Sequence, residues 1–326
     1  MIETTTTHLT RIAAFIAASY FLVYIRRRSF KRESKELVDK VLQNQVSPKV
    51  KFHDNHGLFI QDSINALPLA VQSYLRAALF LIDDEGRGPN YMMHTPIAVI
   101  RSVQLKQKGT LLVNDQWLPF TAAQTAFASP AAPGFVWECS ANMHPALPIL
   151  KSLKYFVRDA YVDKTGELDV NAMGVMPIVN MKGTEAINSG ELMRWMAEIP
   201  LYPTAFLPQS GARVVWVKDS HQLEGPWSEY HGAFARGRLS AGDENITTEV
   251  QFCFGEDGLI SSVRAHRAQE IDGSITTMPW EGRISEYTAI DGMLVPTKWE
   301  AGYWKKDKLQ LYYKAVNHSF QYTYFD

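Results

Sequence analysis

Glu191, Arg194 and Glu198 stand three and four residues apart in a stretch with helical spacing, so their side chains share one face of a helix. Turned to solvent, such a face makes intrahelical ion pairs of small energetic weight. Turned into the fold, Glu198 loses hydration, its carboxyl holds a proton more easily, and it suits proton transfer. Arg158 and Asp159 are neighbours in a run of strand character, so they leave opposite faces and only one of them can look into a cavity. Arg158 shares its face with Phe156, Ala160 and Val162, surroundings in which a guanidinium requires an acid or an anionic ligand group. Arg264 and His266 lie on one face of a later strand, with Arg267 on the other beside Val263 and Ala265. His266 could act as a general base. The candidates for acid–base chemistry are therefore Glu198, Asp159 and His266.

Eight tryptophans and fourteen tyrosines are more than a core strictly needs, and their rigid rings suit a cavity for a flat or lipid-like ligand. Taken with the charged positions, the candidate ligand contacts are Arg158, Tyr161, Arg194, Trp195, Trp216, Arg267, Trp280, Tyr287 and Trp299. The competing possibility is core filling: Val295, Thr297, Trp299, Ala301 and Tyr303 alternate as the inward face of a strand would. Signatures of common chemistries are missing: no phosphate-binding glycine–lysine loop, nucleophile elbow, dinucleotide fingerprint or paired-histidine zinc helix occurs. His53 and His56 sit in a polar connector and fall short of the four ligands of a structural zinc. Cys139 and Cys253 are far apart, with neither disulfide-framework nor metal spacing. No metal and no cofactor is expected. A formal charge of -1 lacks the positive field of a non-specific nucleic-acid binder, so nucleic acid is not an expected partner.

The elements that must hold these residues follow from periodicity. Asn188 to Leu207 reads as a helical island, Asn188 capping it with Glu191 three residues on, and Pro200 and Pro203 ending it. A second helix opens near Leu67-Pro68 and runs to Leu79, with Gly86-Arg87-Gly88-Pro89 as the breaker after it. From residue 97 onward the period shifts toward two. Asp163-Lys164-Thr165-Gly166, Asp257-Gly258 and Asp291-Gly292 mark tight connections, each glycine able to supply a positive φ. About ten strands are expected in a mainly β, α+β fold. At the N-terminus, the run 12–25 is apolar and uncharged, and Arg26, Arg27, Arg28, Lys31 and Arg32 follow at once. With Leu9, Thr10 and a snorkelling Arg11 it reaches the lower end of the about 17–25 residues a span needs. The expected organisation is a tail 1–8, a single-pass membrane anchor 9–25, a juxtamembrane connector 26–65 with a short helix Glu33 to Leu42, and one β domain 66–326. The basic cluster behind the anchor places that domain on the cytoplasmic side.

Several segments together resemble a widespread family defined by a domain of unknown function. They are Leu67-Pro68 with Val71 and Tyr74-Leu75-Arg76, Trp117 to Ala122, Arg158-Asp159-Ala160-Tyr161, Gly190-Glu191-Leu192-Met193-Arg194-Trp195-Met196-Ala197-Glu198, and Pro279-Trp280-Glu281-Gly282-Arg283. The resemblance implies a curved antiparallel sheet like the half-barrel of bacterial lipoprotein carriers, wrapped around a few helices and an apolar cavity. The functional expectation is a membrane-anchored protein that binds a hydrophobic small molecule or lipid. The alternative is an isomerase, cyclase or hydrolase acting on an apolar metabolite in the same cavity.

Overall fold

The computed structural model describes residues 2–43, 64–79, 99–143, 153–207, 214–217, 224–228, 230–241, 246–271 and 274–325. Within them the chain builds thirteen antiparallel strands in one sheet rather than about ten, and the sheet is curled into a half-barrel. In chain order these are β1 (Ile100–Val113), β2 (Gln116–Phe127), β3 (Gly134–Asn142), β4 (Lys154–Val162), β5 (Thr165–Ala172), β6 (Met176–Lys182), β7 (Val215–Trp216), β8 (Phe234–Ala241), β9 (Ile246–Phe254), β10 (Ile260–Ile271), β11 (Ser274–Ile290), β12 (Met293–Lys305) and β13 (Lys308–Tyr324). Their spatial order is β6-β5-β4-β3-β2-β1-β13-β12-β11-β10-β9-β8-β7, two meanders joined where β1 pairs with β13.

Tight turns explain the extra strands. Asn114-Asp115, Asp163-Lys164, Asp291-Gly292 and Lys306-Asp307 each carry positive φ at both residues, the geometry whose twist matches that of the flanking strands. At the Asp163 hairpin the expectation about Gly166 is corrected: Asp163 and Lys164 take the positive φ, and Gly166 lies inside β5. Its role is close approach, since a Cβ there would sit 2.6 Å from the Ile187 carbonyl oxygen.

Among the described residues three α-helices accompany the sheet: α1 (Ile2–Leu42), α2 (Leu69–Leu79) and α3 (Glu185–Ala197). The short helix expected at Glu33–Leu42 is the end of α1, and the part of the expected connector up to residue 42 is helical and packs on β2, β3 and β4. The expected anchor lies within α1, mostly among residues whose side chains are not described; among the described residues no helix is long and apolar enough to cross a membrane. His53, His56 and the Gly86–Pro89 breaker lie outside the described residues.

Helix α3 begins earlier than its sequence suggested. Thr184, not Asn188, is the N-cap and accepts from the Ile187 N–H. Asn188 instead ties the helix to the sheet, accepting from the Gly166 N–H at 2.7 Å and donating to the Gly183 carbonyl. After Ala197 the chain continues as two short 3-10 turns, Ile199–Leu201 and Pro203–Phe206, each with a proline in its first two positions that cannot extend the preceding α-helix. α3 packs on β4 and β5 from one arm of the sheet and on β9 and β10 from the other. It therefore lies across the hollow of the half-barrel. The main core fills the hollow beside it, with Tyr74 and Leu75 of α2, Trp195 and Met196 of α3, Tyr202, Phe206 and the inward residues of both arms. A smaller cluster, Val41 with Phe127, Val136, Ala160 and Val162, holds the end of α1 to the outer face.

Candidate functional site

Strand alternation sorts the charges as expected. Arg158 and Asp159 part at β4, and it is Asp159 that turns into the hollow. There it receives an ion pair from Arg194 of α3. One helical turn on, Glu198 accepts from Arg194 Nε at 3.0 Å, and its other oxygen accepts from Gln124 of β2. Glu191, one turn before Arg194, meets Arg267 of β10 at 3.0 Å. The face formed by Glu191, Arg194 and Glu198 thus points inward and is clamped by an acid from one arm and a guanidinium from the other.

Low water content shapes the electrostatics. Glu191 is 1% exposed, and burial raises its carboxyl well above the ordinary range, with the Asp159 charge adding to the effect. Burial alone would lower the Arg194 guanidinium, but Glu198, Asp159 and Glu191 outweigh it and hold it firmly protonated. Arg267 is raised in the same way, burial being overcome by Tyr303 and Glu191. Arg194 also lies over the rings of Phe135 at 4.7 Å and Trp137 at 5.1 Å, which fixes its position.

Beside this cluster is a cavity of about 570 Å³, within the range of small-molecule sites. Asp159, Glu191, Arg194, Glu198 and Arg267 line it together with Trp137, Trp280, Trp299, Tyr303, Tyr312 and Tyr313. The rings are held by their polar ends. Trp137 Nε1 and the Tyr313 hydroxyl both donate to Gln107 Oε1, whose amide donates to Asn317 at 2.8 Å. Trp280 Nε1 donates to the Tyr312 hydroxyl at 3.0 Å. Pairing between β12 and β13 jumps from Ala301↔Tyr313 to Gly302↔Leu311. That bulge leaves Tyr312 unpaired and lets two consecutive tyrosines reach the cavity.

Of the residues singled out from sequence, Asp159, Arg194, Glu198, Arg267, Trp280 and Trp299 are brought together here. The others are elsewhere. Arg158 faces α1 on the outer surface of the sheet, bonded to Glu167 at 2.8 Å and within 3.3 and 3.4 Å of Asp169 and Glu33. His266 is exposed on the outer face, its ring edge-on to Trp227 at 5.7 Å. Trp195 is buried under α3 and donates to the Phe127 carbonyl, while Trp216 packs on Phe206 and Phe252. Tyr287 donates to the Ile260 carbonyl, and Tyr161 is core, its hydroxyl pushed up to about 12 by burial. None of these six lines the cavity, because each is used by packing or by the opposite face.

Sequence reasoning did not single out Gln124, Trp137, Tyr312 or Tyr313. Trp137 and Tyr313 were findable as inward positions of alternating strands, but the bulge at Tyr312 leaves no signal in the pattern. A second hollow of about 890 Å³ lies between α1 and the outer sheet face, bounded by Arg27, Arg28, Lys31, Lys106 and Lys154. Among the described residues no group of His, Cys, Asp and Glu is arranged to hold a metal ion.

Comparison with solved structures gives low sequence identity throughout. An outer membrane lipoprotein-sorting protein domain from Vibrio parahaemolyticus aligns at 6% identity and a TM-score of 0.35, covering 68% of this chain and 85% of that one. A DUF1329 family protein from Desulfovibrio piger aligns at 7% and 0.36, covering 68% and 86%, and a LolA superfamily protein from Nitrosomonas europaea at 9% and 0.34, covering 68% and 85%. No curated protein sequence matches the chain. Its match to a sequence family runs over residues 57–315, so the chain belongs to DUF6544, a family of unknown function.

Proposed function

We propose that the protein binds an apolar small molecule or lipid-like ligand in the concave cavity. The observation that carries this is the hollow itself: about 570 Å³ not filled by side chains, walled by Trp137, Trp280, Trp299, Tyr303 and Leu111, with its ionisable groups gathered at one place. A core that served stability alone would close such a space, because unfilled volume costs stability. Titration of the full chain with Nile red, a neutral apolar fluorophore, tests it. Saturable enhancement is expected, weakened at least about tenfold by Leu111→Trp, which fills the cavity from a partly exposed wall position. Unsaturable binding, or binding indifferent to that substitution, would reject the cavity as the site.

Membrane attachment through 9–25 belongs to the same proposal. Phe21, Leu22, Tyr24 and Ile25 are exposed on α1 directly before Arg26, Arg27 and Arg28, an order that suits an apolar segment entering lipid with cations at its surface. Full-length protein that washes off membranes at high pH or high salt would exclude an integral anchor.

A catalytic use of the cavity has one feature in its favour: burial and the Asp159 charge raise the Glu191 carboxyl well above its ordinary range, at the cavity wall, which favours a proton there. Such a proton could serve isomerisation, cyclisation or hydrolysis of the bound molecule. If the retained ligand is recovered chemically changed by wild type and unchanged by Asp159→Asn and Glu198→Gln, catalysis holds; an unchanged ligand throughout leaves binding alone.

A further inference from the structure

If the concave cavity holds an apolar ligand, the charges along its wall decide what the polar end of that ligand is. Three carboxyls, of Asp159, Glu191 and Glu198, meet two guanidiniums, of Arg194 and Arg267. Both guanidiniums are engaged: Arg194 with Asp159 and Glu198, Arg267 with Glu191 at 3.0 Å and the Tyr312 hydroxyl at 3.5 Å. Two oxygens remain, Asp159 Oδ1 and Glu191 Oε2, buried and with no donor among the other side chains. Burial and the Asp159 charge raise the Glu191 carboxyl well above its ordinary range. With or without a proton there, three carboxyls against two guanidiniums leave the cluster no net positive charge. Glu300 and Lys305, which also line the cavity, add one charge of each sign, Glu300 lying 3.9 Å from Lys314 and Lys305 next to the β12–β13 turn. Tyr303, Tyr312 and Tyr313 bring hydroxyls without charge at neutral pH.

A carboxylate or phosphate entering this space would meet no guanidinium that lacks a carboxylate already, and would lie beside Asp159 and Glu198. Removing its hydration without a counter-charge is strongly unfavourable. Beside the two carboxyl oxygens, one donor at the cavity wall asks for a partner. Trp299 lines the cavity, is 8% exposed, and its indole N–H is buried without an acceptor. An indole nitrogen can only donate, so what completes it is an acceptor oxygen.

We propose that the cavity selects uncharged amphiphiles, an apolar body ending in a hydroxyl or carbonyl oxygen that accepts from the Trp299 indole, and discriminates against carboxylates and phosphates of the same chain length. This rests on the ligand-binding role given above. The test displaces Nile red from the full chain at neutral pH with myristyl alcohol, the methyl ketone of equal length, and myristate, each kept below its micellar concentration. The alcohol and ketone are expected to displace at concentrations at least about tenfold lower than myristate. Trp299→Phe is expected to keep Nile red binding but to weaken the ketone about fivefold, the value of one buried hydrogen bond. Myristate displacing as well as the alcohol overturns the selectivity and leaves ligand binding standing, and so does a ketone affinity untouched by Trp299→Phe. Failure of Nile red and of all three amphiphiles to bind overturns both proposals. The ratio of alcohol to myristate on the wild type decides the matter even where the Trp299 variant does not fold.

Discussion

Replacing Glu191 by glutamine separates two electrostatic states of the cavity wall by a wide energetic margin. If the carboxyl is neutral, glutamine copies it: the amide donates where the acid proton did, toward Asp159, and its carbonyl accepts from Arg267 as Glu191 Oε1 does at 3.0 Å. Exchanging one buried hydrogen bond for a similar one changes stability by no more than about 1 kcal/mol. If Glu191 were ionised, the same change would leave the buried Arg267 without its partner, at a cost of about 3–5 kcal/mol. The pH profile adds a second criterion. Burial raises the folded-state carboxyl above its usual 4.5, so above that pH the folded protein binds more protons at this site than the unfolded chain does. The stabilisation from Glu191 is therefore complete below pH 4.5 and is lost as pH rises toward the raised value, by up to about 1.4 kcal/mol per unit. Glu191→Gln carries no such term. Urea unfolding of both proteins across this window, compared at constant m, should show the variant gaining on the wild type as pH increases. A variant about 3 kcal/mol or more below wild type at neutral pH, or a difference that does not move with pH, refutes the raised Glu191 carboxyl.

Arg158→Met should destabilise the fold by about 3–5 kcal/mol in urea, because it leaves buried Asp169 without a cation and Glu167 with Lys182 alone, yet it should leave Nile red affinity unchanged since the arginine faces α1. Gly166→Ala pushes a methyl against the Ile187 carbonyl and should lower stability by about 1–3 kcal/mol with a falling Tm, more than any surface glycine replacement. Cys139 and Cys253 are buried with thiols raised by desolvation, so a disulfide reagent at neutral pH should titrate neither in the native protein and both in denaturant. His266→Ala should leave both ligand binding and its pH dependence intact, because the imidazole lies on the outer face beside Trp227.

How far the sequence carried the site depended on whether a residue's direction is fixed locally. The alternation of β4 assigned Arg158 and Asp159 to opposite faces, and the helical spacing of Glu191, Arg194 and Glu198 put them on one face; both statements hold. Which face turns inward is set by α3 lying across two arms of a sheet whose paired strands are distant in sequence, and no local pattern contains that. The same limit explains the tryptophans. Trp195 and Trp299 both fall on apolar faces of their elements, yet one is sealed beneath α3 by its bond to Phe127 and the other has an indole N–H without an acceptor. Boundaries failed for a subtler reason. Asn188 has the chemistry of a cap, but its amide is spent on Gly166 and Gly183, and Thr184 four residues earlier begins the helix. Strand number was underestimated because hairpins turning on Asn114-Asp115 and Lys306-Asp307 use residues with side chains at positive φ, where glycine was the signal sought.

The pairing of β1 with β13 has a consequence for how the molecule comes into being. Ser102 and Thr323, hydrogen-bonded across that pair, are 221 residues apart, so a ribosome working at about 5–20 residues per second finishes the first of them roughly 10–40 seconds before the second. Throughout that interval β1 offers a long unmatched strand edge, and for part of it the α3 charges wait for the Arg267 arm. A zipper whose central tooth is cut last favours a chaperone as an early companion of the nascent chain.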